Sequence, residues 1–156
     1  MDILLRPMRA DEFGGYLDYF IPDYATEISS NYGLSLDEAR ARASREVGED
    51  LEQGVDTVDH ELLCIVSGSD LIGYLWYKPD QDECSVFIYD FCILPAHQNT
   101  GYGKQALNVF EAMLAKDGFR QIGLRVAADN ERAQHLYLKG GFRATGINMI
   151  RRIGQD

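Results

Sequence analysis

A chain of 156 residues has the length of one ordinary domain, and its hydrophobic share of 46% is typical of a globular protein. With 15 basic and 25 acidic residues the net charge is −10, so we expect repulsion of nucleic acids and attraction of cationic amines. No stretch approaches the roughly 20 apolar residues that span a bilayer, and a signal-peptide pattern is absent from the N-terminus. The three cysteines show no metal-ligand spacing. Together these features predict a cytoplasmic protein that binds no membrane, no nucleic acid and no metal.

The N-terminal part of the chain predicts a short strand followed by an interrupted helical stretch. Residues 3–9 have the composition of a strand, and residues 10–31 are helical in character. Gly14-Gly15 and Pro22 lie inside that stretch and are expected to break it, because glycine loosens a helix and proline removes one of its hydrogen bonds.

A second helix and a hairpin follow. Ser35 can cap the helix and Glu38 completes a capping box, so the helix is predicted to run from there to Gln53 and to end at Gly54. Two strands, 60–67 and 71–78, are predicted to pair as a hairpin around the polar turn that separates them.

The middle of the chain predicts a central strand that leads into a helix. Residues 86–94 are almost continuously apolar, which is typical of a strand buried on both faces, and Pro95 stops it. A polar loop then reaches Gly101 and Gly103 at the start of a helix that ends near Gly118. The remaining predicted elements are, in order, a strand at 121–126, a helix at 129–139 and a last strand after 140–141.

A glycine-containing loop between a buried strand and a helix is typical of an anion site, because the first N–H groups of the helix have no intrahelical partner. The two glycines fit a pyrophosphate cradle and a simple tight turn equally well. A P-loop is excluded, because glutamine stands at both position 98 and position 105. The series Gly101, Gly103 and Ala106 matches the dinucleotide-binding fingerprint, although the chain is too short for a doubly wound sheet of six strands.

Two stretches in the second half resemble motifs of the GNAT family of N-acetyltransferases. Residues 90–104 are similar to its acetyl-CoA motif, with Gln98, Gly101 and Gly103 in the pattern Gln/Arg-x-x-Gly-x-Gly/Ala, and residues 130–142 are similar to its second motif. The resemblance implies an α/β GNAT fold, one domain over residues 1–156, with a central mixed, twisted and splayed sheet flanked by helices.

The same resemblance implies direct transfer of the acetyl group of acetyl-CoA to a primary amine of a small molecule or peptide, without a metal. A monomer or a homodimer would serve this activity. Two alternatives remain open: a non-catalytic acyl-CoA-binding sensor or interaction module with this fold, and a dinucleotide-binding domain.

The resemblance also implies which residues bind the cofactor. The central strand splays from its neighbour, and its free edge binds the pantetheine arm through backbone groups, with the Ile93 N–H as a candidate to polarise the thioester carbonyl. Backbone amides of the loop hold the pyrophosphate, which Lys104 helps to neutralise. The implied cofactor-binding residues are Phe91, Cys92, Ile93, Gln98, Asn99, Thr100, Gly101, Tyr102, Gly103, Lys104, Asn130, Ala133 and Tyr137.

Helical spacing supports the second motif. Asp129 is a good N-cap candidate, and offsets of three and seven place Asn130, Ala133 and Tyr137 on one face of the helix. The resemblance implies that the Tyr137 hydroxyl protonates the leaving CoA thiolate, whereas a core aromatic residue is its structural alternative.

The general base and the acceptor residues are less closely defined by the sequence. Asp90 is a carboxylate inside an apolar strand, where burial would raise its pKa, so it is a candidate base or else a structural hydrogen-bond acceptor. Glu27 is a candidate to bind the amine, although an exposed helix charge would look the same. Trp76 is a candidate for the wall of the acceptor pocket or a packed hairpin residue.

Overall fold

Five strands form one mixed sheet in the computed structural model, which describes residues 2–154. The strands lie in the order β1-β2-β3-β4-β5; the first four are antiparallel, and β4 and β5 are parallel. The elements are β1 (Ile3–Pro7), α1 (Phe13–Tyr32), α2 (Leu36–Asp50), β2 (Glu61–Ser67), β3 (Asp70–Asp80), β4 (Ser85–Ile93), α3 (Tyr102–Lys116), β5 (Gln121–Leu124) and α4 (Glu131–Lys139). No helix among these residues is long and apolar enough to cross a membrane.

Helices cover both faces of the sheet and bury it. Along β2 the side chains alternate, so that Cys64 packs with α1 and α2 on one face while Ile65 packs with α3 on the other. Tyr16 of α1 and Phe110 of α3 are fully buried in these two clusters. Burial of each such side chain stabilises the fold by about 1.5–3 kcal/mol.

The predicted break in the first helix was wrong. α1 is continuous for 20 residues, with Pro22 inside it. The glycines lie in the first turn, where the N–H groups have no intrahelical partners in any case. Thr26 Oγ1 donates to the Pro22 carbonyl at 3.0 Å, and burial of Phe20 against the sheet and of Ile28 against α2 offsets the cost of about 3 kcal/mol for an internal proline.

Local signals for α2 and the hairpin were correct. The Glu38 N–H donates to Ser35 Oγ at 3.1 Å, so Ser35 caps the helix as predicted. The capping box is only half formed, because within residues 2–154 the Glu38 side chain accepts no hydrogen bond from the Ser35 N–H, and the helix ends at Asp50, earlier than predicted. β2 and β3 pair with Ser67 opposite Asp70, which makes Gly68-Ser69 the turn of the hairpin.

The last predicted strand is absent from the described residues. After Gly141, which has φ +92°, residues 143–150 form no strand, and Ile147 and Met149 are largely exposed. These residues pair with neither edge of the sheet, which in the described chain ends at β5, so their backbone N–H and C=O groups form no strand ladder.

Candidate active site

The site begins where β4 separates from β5. β4 has nine residues, but only Ser85–Ile88 pair with β5, opposite Gln121–Leu124. Residues 90–93 remain paired with β3 on the other side. The two parallel strands therefore part halfway along β4, which agrees with the splay that the sequence resemblance implied.

Backbone groups of β4 face this opening. The Leu94 N–H donates to Ile72 O at 2.8 Å, and the backbone groups of successive residues in a strand point alternately to its two sides. Those of Phe91 and Ile93 consequently point away from β3, towards the opening. Gln98 Nε2 donates to Ile93 O at 2.7 Å, so the carbonyl of Ile93 is occupied while its N–H faces the gap.

A β-bulge interrupts the pairing of β4 with β3 between Ile88 and Asp90. Trp76 lies opposite Asp90 and Tyr77 opposite Ile88, which leaves Tyr89 as the extra residue. The expectation that β4 is buried on both faces was wrong: Phe87 and Tyr89 are 44% and 39% exposed. Both side chains face the cleft, and Tyr89 stacks on Trp76 with ring centroids 4.8 Å apart.

The loop that follows has the backbone of an anion-binding turn. Asn99 and Gly101 both have left-handed backbones, with φ of +63° and +84°. Gly101 is the N-cap of α3 and brings no side-chain cap, and the Gln105 N–H is the first to bond back, to Gly101 O. The N–H groups at the start of α3 therefore remain available to a ligand, and Lys104 stands beside them in the cleft.

Gln98 joins the loop to α4. Its Nε2 contacts β4, and its Oε1 accepts a hydrogen bond of 2.6 Å from Arg132 Nη1. A Cβ at Gly103 would lie 3.4 Å from Leu136, so Gly103 is also the point where α3 and α4 approach each other. The role of Arg132 was missed from the sequence, because its partner lies 34 positions away.

The start of α4 differs from the prediction. Asn130, rather than Asp129, is the N-cap: its Oδ1 accepts from the Ala133 N–H at 3.1 Å. Asp129 instead accepts hydrogen bonds from Ser30 and Asn31 of α1. The side-chain oxygen Oδ1 of Asn130 thus caps the helix, and the side-chain N–H₂ group of Asn130 is left to face the cleft.

Tyr137 lies in the cleft with most of its side chain buried. Its ring packs edge-to-face on Phe142 at 5.4 Å, and its hydroxyl makes no hydrogen bond within residues 2–154. Burial, together with the charge of Asp90, raises the pKa of Tyr137 above its usual value. The phenol therefore stays protonated at neutral pH and can donate a proton or a hydrogen bond.

Asp90 is half-buried and has one strong partner. Tyr16 donates its hydroxyl hydrogen to Asp90 Oδ2 at 2.7 Å, across 74 positions of sequence. Burial raises the pKa of Asp90 to about 7, and the hydrogen bond from Tyr16 opposes that rise. No local sequence pattern pointed to Tyr16, because only the packing of α1 on the sheet brings Tyr16 and Asp90 together.

The acceptor candidates lie on the far side of the cleft from the loop. Trp76 is 2% exposed and its Nε1 donates to His60 Nδ1 at 2.9 Å, so it is a packed residue that also contributes to the cleft wall. Glu27 faces the cleft, and burial raises its pKa. Sequence reasoning missed Tyr19 and Asp23, although their four-residue spacing before Glu27 on α1 would have revealed the shared face.

These features surround one cleft of about 1000 Å³. Every residue that the sequence predicted for the site lines it, with the exception of Thr100, whose hydroxyl donates to His97 O. One end of the cleft has the free N–H groups of α3, the middle has the opened edge of β4, and the other end is enclosed by α1 and α2.

The parted parallel strand pair beside the uncapped start of α3 agrees with the GNAT fold that the sequence resemblance implied. The family model for the acetyltransferase (GNAT) family matches residues 27–142, and the chain belongs to this family. The dinucleotide-binding alternative is therefore wrong: the sheet has one parallel pair instead of a doubly wound parallel order.

Individual relatives agree with the family assignment. The chain is 34% identical to YycN of Bacillus subtilis, an uncharacterised N-acetyltransferase, over 98% of this chain and 100% of the relative. The crystal structure of YycN superposes with a TM-score of 0.91 at 30% identity, covering 98% of this chain and 99% of YycN. The PaiA N-acetyltransferase of Thermoplasma acidophilum, in complex with coenzyme A, shares the fold with a TM-score of 0.71 at 18% identity. The superposition covers 95% of this chain and 94% of PaiA.

Proposed function

We propose that the chain transfers the acetyl group of acetyl-CoA directly to a primary amine of a small molecule or peptide. The observation that carries this proposal is the convergence, in one cleft, of the opened β4 edge, the uncapped start of α3 and the Tyr137 hydroxyl. A CoA ligand needs these three features at its pantetheine, its pyrophosphate and its sulfur. The coenzyme A complex of PaiA, which has the same fold, supports this choice of donor.

The donor would bind along the line from the loop to β4. The N–H groups of residues 98–104 would hold the pyrophosphate, because the helix dipole and free donors favour negative charge there. The backbone groups of Phe91 and the Ile93 N–H would bind the pantetheine arm, while Asn130 and Ala133 would line its other side. The backbone groups of Cys92 point towards β3 by the same alternation, so Cys92 contributes only its side chain to the cleft, contrary to the expectation.

Chemistry would then take place at the junction of β4 and α4. A neutral amine attacks the thioester carbonyl, and the Ile93 N–H stabilises the oxygen as it becomes negative. When the tetrahedral intermediate collapses, the C–S bond breaks and Tyr137 gives its proton to the sulfur. Asp90 takes the proton that the attacking nitrogen loses; its pKa near 7 suits that task at neutral pH.

An amine panel tests the proposal. Purified protein is mixed with acetyl-CoA and each amine, and free CoA is measured; we expect release with at least one primary amine and none with a tertiary amine of similar size. Tight acetyl-CoA binding without turnover of any amine would refute catalysis and support a non-catalytic acyl-CoA sensor instead. Failure to bind acetyl-CoA at all would refute the donor assignment.

A further inference from the structure

The two halves of the cleft carry opposite charges. Among the described residues, α1, α2 and β4 contribute five carboxylates to the lining and no Lys or Arg: Asp23, Glu27, Glu46, Asp50 and Asp90. The lysines and arginines of the lining come from the second half of the chain, which contributes Lys104, Arg125, Arg132 and Lys139 and one carboxylate, Glu111. The basic half is where the proposed donor phosphates bind, so the acidic half is left for the acceptor.

The carboxylates lie in two rows. On α1, Asp23 and Glu27 are four residues apart on one face, and on α2 the same spacing separates Glu46 and Asp50. Residues four apart on a helix are about 6 Å apart along its axis. Tyr24 donates its hydroxyl hydrogen to Glu46 Oε2 at 2.7 Å, which holds the two helices together beside the cleft.

Several of these charges have no counter-ion of their own. Glu46 pairs with Arg42 at 3.1 Å, and Glu27 is close to Arg125, whose guanidinium also donates to the Tyr32 hydroxyl at 2.7 Å. Asp23 and Asp50 make no salt bridge within residues 2–154. Burial raises the pKa of both carboxyls, as expected for charges without direct partners.

Aromatic rings form a wall of the same half of the cleft, in which Tyr24 and Tyr89 have exposed surface whereas Phe20 and Trp76 are 8% and 2% exposed. Phe20 stacks on Tyr24 at 5.4 Å and meets Trp76 edge-on at 5.6 Å, and Trp76 stacks on Tyr89 at 4.8 Å. Aromatic faces attract ammonium groups and accommodate the methylene chains between them. A substrate carboxylate or phosphate, in contrast, would be repelled by the five carboxylates of this half of the lining, and the one cation beside them, Arg125, already lies close to Glu27.

Building on the proposed acetyl transfer, we propose that the acceptor is a polycationic amine with two or more ammonium groups on one flexible chain. One amino group, after losing its proton, reaches the thioester beside Asp90. The remaining ammonium groups pair with Asp23 of α1 and Asp50 of α2, and the carbon chain lies along the aromatic wall. Amino acids and other amines that carry a carboxylate are disfavoured by the same charges.

The test compares kcat/KM for the linear triamine spermidine, the monoamine n-butylamine and free lysine, all at low ionic strength. Spermidine should be preferred to n-butylamine by about tenfold or more, the size expected from two ion pairs in a solvent-accessible cleft, and lysine should be the poorest. Added salt should reduce the preference, because it screens these pairs. Equal kcat/KM for the triamine and the monoamine would overturn the proposal.

Charge-neutral variants test whether Asp23 and Asp50 cause the preference for spermidine. The double variant Asp23→Asn, Asp50→Asn should lower kcat/KM for spermidine about tenfold and change that for n-butylamine less than about twofold. Asp37→Asn provides the matched control, because it removes the same charge from an exposed position of α2 outside the cleft. An aminoglycoside is included to compare a rigid polycation with the flexible spermidine. A higher kcat/KM for the aminoglycoside than for spermidine would overturn the proposal that the acceptor is a flexible chain.

The outcomes distinguish this proposal from the proposed function. Turnover of several amines without any preference for polycations would refute the acceptor class and leave acetyl transfer intact. If no amine is acetylated, calorimetry of spermidine binding to the protein–CoA complex decides: binding that the double variant weakens about tenfold supports the acidic site. Absence of such binding in the wild type refutes it.

Discussion

Removal of the Tyr137 hydroxyl should affect chemistry and leave the fold nearly unchanged. In Tyr137→Phe the ring keeps its contact with Phe142 at 5.4 Å, and no hydrogen bond within residues 2–154 is lost. The free energy of unfolding should therefore change by no more than about 0.5 kcal/mol, equivalent to a shift in Tm of about 1–2 °C. Acetyl-CoA affinity should also be preserved, because the proposed contacts are made mainly by backbone groups.

The chemical step should be slowed by about 10²–10⁴-fold, the usual contribution of one general acid, which corresponds to about 2.7–5.5 kcal/mol in activation free energy. A single-turnover experiment measures it: enzyme saturated with acetyl-CoA is mixed with the amine, and free CoA is followed in time. This avoids masking by slow product release. An unchanged single-turnover rate in a folded variant would remove Tyr137 from the mechanism.

A matched control comes from Tyr77, which is also a buried tyrosine but packs against Phe110 at 4.9 Å, outside the cleft. Tyr77→Phe should bind acetyl-CoA and turn over as the wild type does. If both tyrosine variants lost the same fraction of activity, the loss at Tyr137 would reflect packing instead of proton transfer.

Three further changes test other parts of the site. With the Asp90 pKa at about 7, kcat/KM expressed per concentration of unprotonated amine should rise with pH between about pH 6 and pH 8 as the carboxyl loses its proton, and Asp90→Asn should abolish this rise; a rise that persists in the variant would assign it to another group. Tyr16→Phe should move the same rise to higher pH, because the hydrogen bond from Tyr16 lowers the Asp90 pKa, and an unmoved profile would contradict that coupling. Gly101→Val should weaken acetyl-CoA binding at least tenfold, as measured by isothermal calorimetry. A β-branched residue is strained at a φ of +84°, and relief of that strain would displace the free N–H groups. Unchanged affinity in a folded variant would place the pyrophosphate elsewhere.

Gly73→Ala tests the opened edge of β4. A Cβ at Gly73 would lie 2.1 Å from the Cys92 carbonyl oxygen, so the backbone of β4 must shift next to the proposed pantetheine contacts. We expect KM for acetyl-CoA to rise more than kcat falls, together with a lower Tm. Gly14→Ala is the control, because a Cβ there meets nothing within 4 Å. A wild-type KM in the Gly73 variant would show that this edge does not contact the donor.

Features that depend on a few neighbouring residues could be predicted from the sequence. The cap at Ser35, the turn at Gly68-Ser69, the glycine loop before α3 and the shared face of Ala133 and Tyr137 are set by local backbone preferences and helical periodicity. These local signals, together with the family resemblance, were sufficient to predict the fold class and a glycine loop that lines the cleft.

Only the tertiary structure decided where elements meet. The contact between Tyr16 and Asp90 joins positions 74 residues apart, and the continuity of α1 through Pro22 depends on burial that a local pattern does not contain. The division of the cleft into acidic and basic halves likewise arises because α1 and α2 are packed opposite α3 and α4. A residue pattern specifies which face of an element is apolar, but partners distant in sequence are selected by the packing of the whole chain, and the electrostatics of a site depend on those partners.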